Sequence, residues 1–327
     1  MRTKNNPEKE KLNKISYVDH RIIIPLYIPS SEDEYFKGLF KVFKLSIESL
    51  LKTINLNTTK ITVINNDCKK EVTDYIQQLL ESKVIDKHII LSKNYGKVYP
   101  ILKELKSLSE PYVTVADADV YYFNGWINET TKIFNSFKKV GVVCPLPTIK
   151  FSSYNNNSLF SDKIFSIKRG KILSRETLEC VIRGIEDNDI TKKINKAQFQ
   201  NQYYIENKNV KACVGAGHFI STYKSEIFRK INDYKVTYVF KGGDENLSID
   251  KPIDKLGYYR VSTSNFYVYH MGNVLDDWIL KMNEKISLLP SENYTFNSYK
   301  IKKQIPFIYK IKSLISRFNI KRIKFRS

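Results

Sequence analysis

The chain has 327 residues, with 42% hydrophobic and 27% charged residues, which predicts a folded globular protein with a substantial core. Its 54 Lys and Arg against 34 Asp and Glu give a net charge of +20, which favours anionic partners: nucleic acid, nucleotide phosphates or an acidic membrane surface. No apolar run approaches the roughly 20 residues of a spanning helix, and no Cys and His spacing fits a zinc finger.

The N-terminal leader, residues 1–20, is polar and lacks the apolar stretch of a secretory signal. We therefore expect the protein on the cytoplasmic side of the membrane. The four cysteines are scattered along the chain, which predicts reduced and mostly buried thiols. They are Cys68, Cys144, Cys180 and Cys213.

Strand and helix patterns alternate from residue 21 onward. The run "RIIIPLYIP" predicts a strand buried on both faces, and Ser31 with Glu34 forms a capping-box pattern before an amphipathic helix. Four more strands are predicted in "KITVINND", "KHIILSKN", "YVTVADAD" and "VGVVCPLP", with helices between them. This order predicts a mostly parallel α/β sheet flanked by helices, whose ligands bind beyond the carboxyl ends of the strands.

The pattern weakens between residues 150 and 211, where polar stretches such as "SSYNNNS" occur. We interpret this segment as helices and loops added over one face, where an acceptor would be recognised.

The last segment, residues 291–327, is basic, with ten Lys or Arg and no acidic residue after Glu292. Pro306 begins a predicted helix with one apolar face and a basic remainder. The apolar positions are Ile308, Ile311, Leu314, Ile315 and Phe318, and the basic ones are Lys310, Lys312, Arg317 and Lys321. The pattern fits a helix lying on an anionic membrane surface; the alternative is a helix docked on the protein's own core with its basic face solvated.

Asp117 and Asp119 end the predicted strand "YVTVADAD". Residues two apart in an extended strand point the same way, so both carboxylates can converge on one divalent cation. The alternative is a polar turn that ends a buried strand, because a D-x-D pair alone is a weak signal.

Several segments, taken in order, resemble family-2 glycosyltransferases with the GT-A fold. They are the first strand and helix, "VINND", "NYGKVYPILKEL", "ADAD", "GGDENL" and "YVYHMGN", which together span residues 21–278. The resemblance implies a catalytic domain over residues 21–290, a nucleotide-diphospho-sugar donor (a UDP-sugar is favoured) and Mn²⁺ or Mg²⁺ as cofactor. It also implies a glycan or lipid-linked acceptor in cell-surface polysaccharide or lipopolysaccharide synthesis, with no nucleic-acid partner.

The same resemblance implies roles for individual residues. The donor nucleotide would be bound by Pro25, Tyr27, Asp67, Gly96, Lys97, Asp117 and Ala118. A glycine at position 96 would permit close backbone approach, and Lys97 would offset diphosphate charge. The metal would be held by Asp117, Asp119 and His270, because a neutral imidazole is a competent partner to carboxylates on Mn²⁺.

In inverting members of the family, an acidic motif supplies the base that deprotonates the acceptor. "GGDENL" stands at that place, and both Asp244 and Glu245 are candidates, with Asp244 favoured by alignment on Leu247. His218 in "GAGHFIS" is positioned to hydrogen-bond a sugar hydroxyl. Trp126 and Trp278 are expected to be buried anchors rather than sugar-stacking residues.

Three other functions compete with an inverting glycosyltransferase. A retaining GT-A enzyme would share the metal motif. A sugar-phosphate nucleotidyltransferase would carry a Gly-rich phosphate loop near the first strand, which "RIIIPLYIPSSEDEY" lacks. A basic nucleic-acid-binding protein would have basic and aromatic residues interleaved along the whole body. We expect a peripheral enzyme on the inner face of the plasma membrane.

Overall fold

The computed structural model describes residues 17–163, 166–184, 197–231, 244–291, 294–297 and 306–325. Most of the polar leader, Gly242 and Gly243 lie outside these residues.

The first half of the chain contains the predicted alternation of strands and helices. Its strands are β1 (His20–Leu26), β2 (Thr59–Asn65), β3 (Lys87–Ile90), β4 (Tyr112–Ala116), β5 (Val120–Tyr122) and β6 (Val140–Cys144). Its helices are α1 (Glu34–Lys37), α2 (Leu39–Thr53), α3 (Lys70–Glu81), α4 (Val98–Ser107) and α5 (Trp126–Ser136). The apolar runs that predicted β1, β2, β4 and β6 are almost wholly buried, which confirms them as core strands.

The predicted capping box at Ser31 is wrong. Helix α1 begins at Glu34, and its N-cap is Asp33, whose carboxylate accepts a hydrogen bond from the backbone N–H of Tyr35. The Ser31 hydroxyl instead accepts one from the N–H of Asp33. Two cap-forming residues stand close together here, and the aspartate forms the cap.

The second half of the chain adds α6 (Asn157–Asp162), β7 (Lys168–Gly170), α7 (Arg175–Arg183), α8 (Ala197–Gln200), β8 (Gln202–Asn207), β9 (Val210–Val214), β10 (Ile220–Lys224) and α9 (Glu226–Lys230). It continues with α10 (Lys251–Lys255), β11 (Tyr259–Ser262), β12 (Val268–His270), α11 (Asp277–Lys285) and α12 (Pro306–Phe325). The interpretation of residues 150–211 as helices and loops is therefore incomplete, because β7 and β8 pair there as antiparallel strands. Strand β7 has only three residues, and the apolar run of β8, from Tyr203 to Ile205, is too short to have predicted a strand.

The central sheet has ten strands among the described residues, in the order β3-β2-β1-β4-β10-β6-β11-β9-β8-β7. Strands β3, β2, β1, β4, β6, β11 and β8 run one way, and β10, β9 and β7 run the other. Seven of ten strands thus share one direction, which confirms the mostly parallel sheet flanked by helices. The carboxyl ends of β1, β2 and β4 and the amino end of β10 meet at one edge.

Two predictions about buried side chains are also confirmed. Cys144, Cys180 and Cys213 are buried free thiols, and Cys68 is half-buried. Trp126 is fully buried, with its indole N–H donating to the hydroxyl of Thr53. Among the described helices, none is both long enough and apolar enough to cross a bilayer.

Candidate metal and nucleotide site

The two aspartates lie in a turn between β4 and β5, not within an extended strand. Strand β4 ends at Ala116, and the backbone N–H of Asp117 donates to the carbonyl of Phe219 at 2.6 Å. The carbonyl of Asp119 accepts from the N–H of Met271 at 2.8 Å. The turn and the metal site are therefore not alternatives, since the turn itself directs both carboxylates to one place.

The structure brings His270 to the same place through β12. This strand pairs antiparallel with β5, with His270 opposite Val120, one residue after Asp119. His270 Nε2 lies 3.2 Å from Asp119 Oδ2, and one ligand atom from each of Asp117, Asp119 and His270 lies within 4.8 Å of the other two. Residues more than 150 positions apart in the sequence thus form one cluster.

The hydrogen bonds around this cluster suit a metal ion. His270 Nδ1 is 2.9 Å from the carbonyl of Gly184, so the Nδ1–H donates there and Nε2 faces the carboxylates. The buried Oδ1 of Asp119 has no hydrogen-bond partner in the described structure. An unpartnered buried carboxylate oxygen is costly unless something binds it. Two carboxylates and one imidazole therefore fit a divalent cation, with the imidazole favouring Mn²⁺ over Mg²⁺.

The pKa values reflect crowding of acidic groups in a partly buried place. Burial raises the pKa of Asp117, and the nearby Asp119 charge raises it further, against the opposing effect of Lys97. Burial lowers the pKa of His270, but the hydrogen bond and charge of Asp119 outweigh burial and raise this pKa to about 9. The imidazole thus holds a proton that a metal ion would displace on binding.

Lys97 connects this cluster to Glu245, which belongs to the second acidic motif. Its Nζ lies 2.5 Å from Asp117 Oδ1 and 3.7 Å from Glu245 Oε1, and it donates to the carbonyl of His218 at 3.3 Å. The Lys97 ammonium group, which is held among these oxygens, can move to a phosphate when one binds.

A cavity of about 290 Å³, the donor cavity, opens beside the two aspartates. It is lined by the ends of β1 and β2, the loop before α4, the β4–β5 turn and helix α1 with the start of α2. Of the residues predicted to bind the nucleotide, Pro25, Tyr27, Gly96, Lys97, Asp117 and Ala118 line it. Its size is near the lower end for small-ligand pockets.

Tyr35 and Phe36 also line this cavity, although no sequence signal predicted them, and Asn66 lines it beside the predicted Asp67. Phe36 packs edge-on against Tyr27, with ring centroids 5.9 Å apart, which forms an aromatic wall. A Cβ at Gly38 would lie only 2.5 Å from the backbone oxygen of Asn273, so the chain after α1 passes close to the loop that follows His270.

Asn66 organises the floor of the donor cavity. Its side-chain amide donates to Asn94 Oδ1 at 2.9 Å and to the carbonyl of Gly96 at 3.0 Å, and its oxygen accepts from the N–H of Tyr95. Gly96 has a φ of 73°, a conformation that favours glycine. Asp67, the predicted nucleotide ligand, is exposed, has a φ of 73° and does not line this cavity. The buried neighbour, Asn66, takes the place expected for Asp67.

A second cavity of about 460 Å³, the apolar cavity, lies on the other side of His270. Its lining is mostly apolar or aromatic: Leu146, Pro147, Ile149, Phe151, Val181, Phe199 and Phe219, with His218, Lys150 and Thr148 among the polar residues. Phe219 packs its ring 5.2 Å from that of His270. His218 lines the same cavity as His270, and its contact with a sugar hydroxyl stays a prediction.

His218 also approaches a buried ion pair. Asp250 and Arg260 are both about 1% exposed, with Arg260 Nη2 2.6 Å from Asp250 Oδ2. His218 Nε2 lies 3.1 Å from the same oxygen, although the angles there are not those of a hydrogen bond. Arg260 also donates to the carbonyls of Tyr154 and Ala216, which fixes the loops around the apolar cavity.

The two candidates for the catalytic base differ in position. Glu245 directs its carboxylate toward Lys97 and keeps a side chain 23% exposed. Asp244 is buried, and its carbonyl accepts from the hydroxyl of Ser248. The geometry therefore favours Glu245, where alignment on Leu247 favoured Asp244.

Trp278 is half-buried and packs against Tyr269, with ring centroids 4.8 Å apart. This contact agrees with an anchoring role. It does not line either cavity described above.

No protein-family model and no curated protein matches this chain. Among solved structures, TarS 1–349 from S. aureus is 10% identical, with a TM-score of 0.45, covering 77% of this chain and 60% of that one. A mannosyltransferase from Pyrobaculum calidifontis, in complex with GDP-Man and Mn²⁺, is also 10% identical, with a TM-score of 0.43, covering 76% of this chain and 58% of that one. This chain thus spans about 60% of their length, and likeness at this level carries no argument about substrate or mechanism.

Proposed function

We propose that this protein is a metal-dependent glycosyltransferase of the GT-A type. It would move a sugar, with inversion, from a nucleotide-diphospho-sugar to a glycan or lipid-linked acceptor, and a UDP-sugar is the favoured donor. The observation that supports this most is the cluster of Asp117, Asp119 and His270 between a donor cavity and an apolar cavity. One side suits a nucleotide and the other an acceptor.

The residues of the donor cavity have distinct tasks. Tyr27 and Phe36 provide an apolar wall for the base, and the backbone around Gly96 allows close approach. Asp117, Asp119 and His270 hold Mn²⁺ or Mg²⁺, which when bound neutralises charge on the departing nucleoside diphosphate. Lys97 adds a further positive charge.

Glu245 is proposed as the general base. It takes the proton of the acceptor hydroxyl as that oxygen forms its bond to the anomeric carbon. At the same time the bond from the anomeric carbon to the diphosphate oxygen breaks, and the electron pair leaves with the nucleoside diphosphate. A glycosidic bond and a protonated Glu245 remain.

The cellular setting is part of the proposal. The resemblance in sequence supports cell-surface polysaccharide or lipopolysaccharide synthesis, and the basic C-terminal segment supports a position at the inner face of the plasma membrane.

A screen of nucleotide-sugars for Mn²⁺-dependent hydrolysis tests the function. We expect the wild-type protein to release a nucleoside diphosphate from at least one donor and Asp119→Ala to release none. Asp74→Asn, an exposed carboxylate on α3, serves as the matched control and should retain full activity. The absence of any metal-dependent turnover or nucleotide-sugar binding would exclude the proposal, and proton NMR of the product's anomeric centre would separate inversion from retention.

A further inference from the structure

Helix α12 docks on the protein in an unusual orientation. Several of its contacts with the body are polar: the Tyr309 hydroxyl donates to Asp254 Oδ2 at 3.1 Å, and Lys312 Nζ lies 2.7 Å from Asp162 Oδ1, while Ile320 and Ile323 pack against the core. Further along, the Asn319 side chain is fully buried and donates to the carbonyl of Phe160 at 2.8 Å. The helix therefore packs on α6 through a row of hydrogen-bonding residues.

Most apolar side chains of α12 near its start and middle face solvent instead of the core. Six of them are exposed: Phe307 (69%), Ile308 (40%), Ile311 (43%), Leu314 (66%), Ile315 (37%) and Phe318 (65%). At 100° per residue they fall on one face, which we call the outer face. An apolar patch of this kind on a water-soluble surface marks an interaction site. Simple docking on the protein's own core would have buried these residues.

Exposed positive charge lies along one side of the outer face. Lys310, Arg317, Lys321 and Lys324 are exposed, and no acidic residue occurs anywhere in the helix. Most of these cations lie beside the apolar residues on the helical wheel, where they would reach a lipid headgroup layer while Leu314 and Phe318 enter the acyl region. Apolar insertion combined with basic flanks is complementary to an anionic bilayer.

We propose that α12 binds in the plane of an anionic lipid bilayer through its outer face while it stays docked on α6. The polar contacts of Tyr309, Lys312 and Asn319 hold the helix on the body, so bilayer binding needs no undocking and fixes the orientation of the whole protein.

The docked side of α12 links this surface to the candidate site. Ile320 and Lys324 line a cavity of about 310 Å³ together with Lys150 and Arg169, and none of the described residues that line it is acidic. Ile149 and Lys150 line both this cavity and the apolar cavity beside His270. This step alone rests on the proposed function. A lipid-linked acceptor with a phosphate group would reach the cluster of Asp117, Asp119 and His270 along the cavity lined by Lys150, Arg169 and Lys324.

Vesicle co-sedimentation of the full chain tests bilayer binding without reference to catalysis. The probes are vesicles of phosphatidylcholine alone and of phosphatidylcholine mixed with phosphatidylglycerol. We expect binding to the mixed vesicles that weakens as salt rises. Leu314→Gln with Phe318→Gln should lower the partition coefficient by roughly tenfold or more, because two apolar side chains no longer leave water.

Matched variants distinguish binding through α12 from non-specific binding of the protein surface to vesicles. Ile90→Gln with Val274→Gln removes apolar side chains that are 61% and 65% exposed elsewhere on the surface, and should leave binding unchanged. Arg317→Gln with Lys321→Gln should lower binding to the mixed vesicles by roughly thirtyfold, at about 1 kcal/mol for each basic residue. The same change at the exposed Lys41 and Lys83 should have a much smaller effect.

Three results would overturn the proposal: no binding of the wild type to anionic vesicles, equal binding by the Leu314 and Phe318 variant, or a lipid-free dimer that this variant abolishes. The last result would assign the outer face to a second copy of the chain. Circular dichroism confirms that each variant is folded. Because the assay needs no donor, its outcome is independent of whether the hydrolysis screen succeeds.

Discussion

The donor cavity and the apolar cavity lie on either side of the cluster of Asp117, Asp119 and His270 but are built in different ways. The donor cavity is formed largely by the ends of adjacent parallel strands, β1, β2 and β4, whose register places Pro25, Asn65 and Ala116 near one edge. The apolar cavity is formed by loops and helix ends from the second half of the chain, and a buried arginine helps to hold them.

The site therefore has two kinds of wall. Sheet topology fixes the wall of the donor cavity, and a few polar contacts fix the wall of the apolar cavity. We expect the first wall to tolerate loss of a single side chain with a local effect on the donor. The second wall should depend more on individual buried charges, because removing one partner leaves the other uncompensated. The following changes test that contrast, in order of decreasing effect.

Glu245→Gln should lower kcat by about 100- to 10,000-fold while donor binding stays nearly unchanged, because it removes the proposed base without removing a donor contact. Asp244→Asn is the matched change one residue earlier and should have a much smaller effect on kcat. Steady-state kinetics on both variants makes the comparison. A loss of activity confined to Asp244→Asn would transfer the role to Asp244.

Arg260→Met should destabilise the protein by about 3 kcal/mol or more, because it leaves the Asp250 carboxylate buried without its main partner and frees two carbonyls. Urea denaturation measures the free energy of unfolding. Arg175→Met, at an arginine whose side chain is 86% exposed, should change it by less than about 0.5 kcal/mol. Equal stability of the two variants would show that the buried arginine does not hold the second wall.

Lower pH should reduce the stability of the sheet that forms the donor cavity, through protonation of His20 in β1. This fully buried imidazole is within hydrogen-bonding distance of Thr59 and Thr114 on the two strands beside β1, and burial lowers its pKa to about 3. The unfolded chain binds a proton near pH 6.5 and the folded protein does not, so stability is present above pH 6.5 and is lost as pH falls toward 3.

Between pH 7 and pH 5 this His20 effect should cost about 2 kcal/mol of unfolding free energy, on the scale of 1.4 kcal/mol per pKa unit. Urea titrations at the two pH values measure it. In His20→Asn the part of the pH dependence that belongs to this histidine should disappear. A variant with the same pH slope as the wild type would assign the slope to other groups.

Phe36→Leu should weaken binding of a nucleoside diphosphate by roughly fivefold, since part of the aromatic wall of the donor cavity is lost, at about 1 kcal/mol. Phe151→Leu is the matched change in the apolar cavity and should leave nucleotide affinity unchanged. Isothermal titration calorimetry with UDP and GDP measures both. Equal losses in the two variants would mean that the cavities do not have separate ligands.

The sequence was informative where burial follows a simple pattern. The apolar runs of β1, β2, β4 and β6 predicted core strands, and the α/β order placed Asp117 at the carboxyl end of one of them; Gly96 and Tyr27, which lie beside it, came from the family resemblance. His270 was suggested by its place after an alternating run, but only the pairing of β12 with β5 explains why it lies beside Asp119.

Other features depend on contacts that no local pattern encodes. Strand β7 is short and polar, and the apolar run of β8 has only three residues. Asn66 lines the donor cavity, while Asp67, which has a left-handed backbone, does not. The choice of Glu245 over Asp244 rests on a distance to Lys97. For α12, the amphipathic pattern was visible in the sequence. Which face would dock could not be read from it, because the docking contacts of Tyr309, Lys312 and Asn319 are with residues of α6 and with Asp254 of α10.

The central claim is that Asp117, Asp119 and His270 together hold one divalent cation at the donor cavity. Electron paramagnetic resonance of Mn²⁺, titrated into the protein with and without UDP, measures this directly. We predict one bound Mn²⁺ per chain that UDP stabilises, lost in Asp119→Asn and in His270→Ala and retained in Asp74→Asn. Undiminished Mn²⁺ binding by both cluster variants would contradict the account.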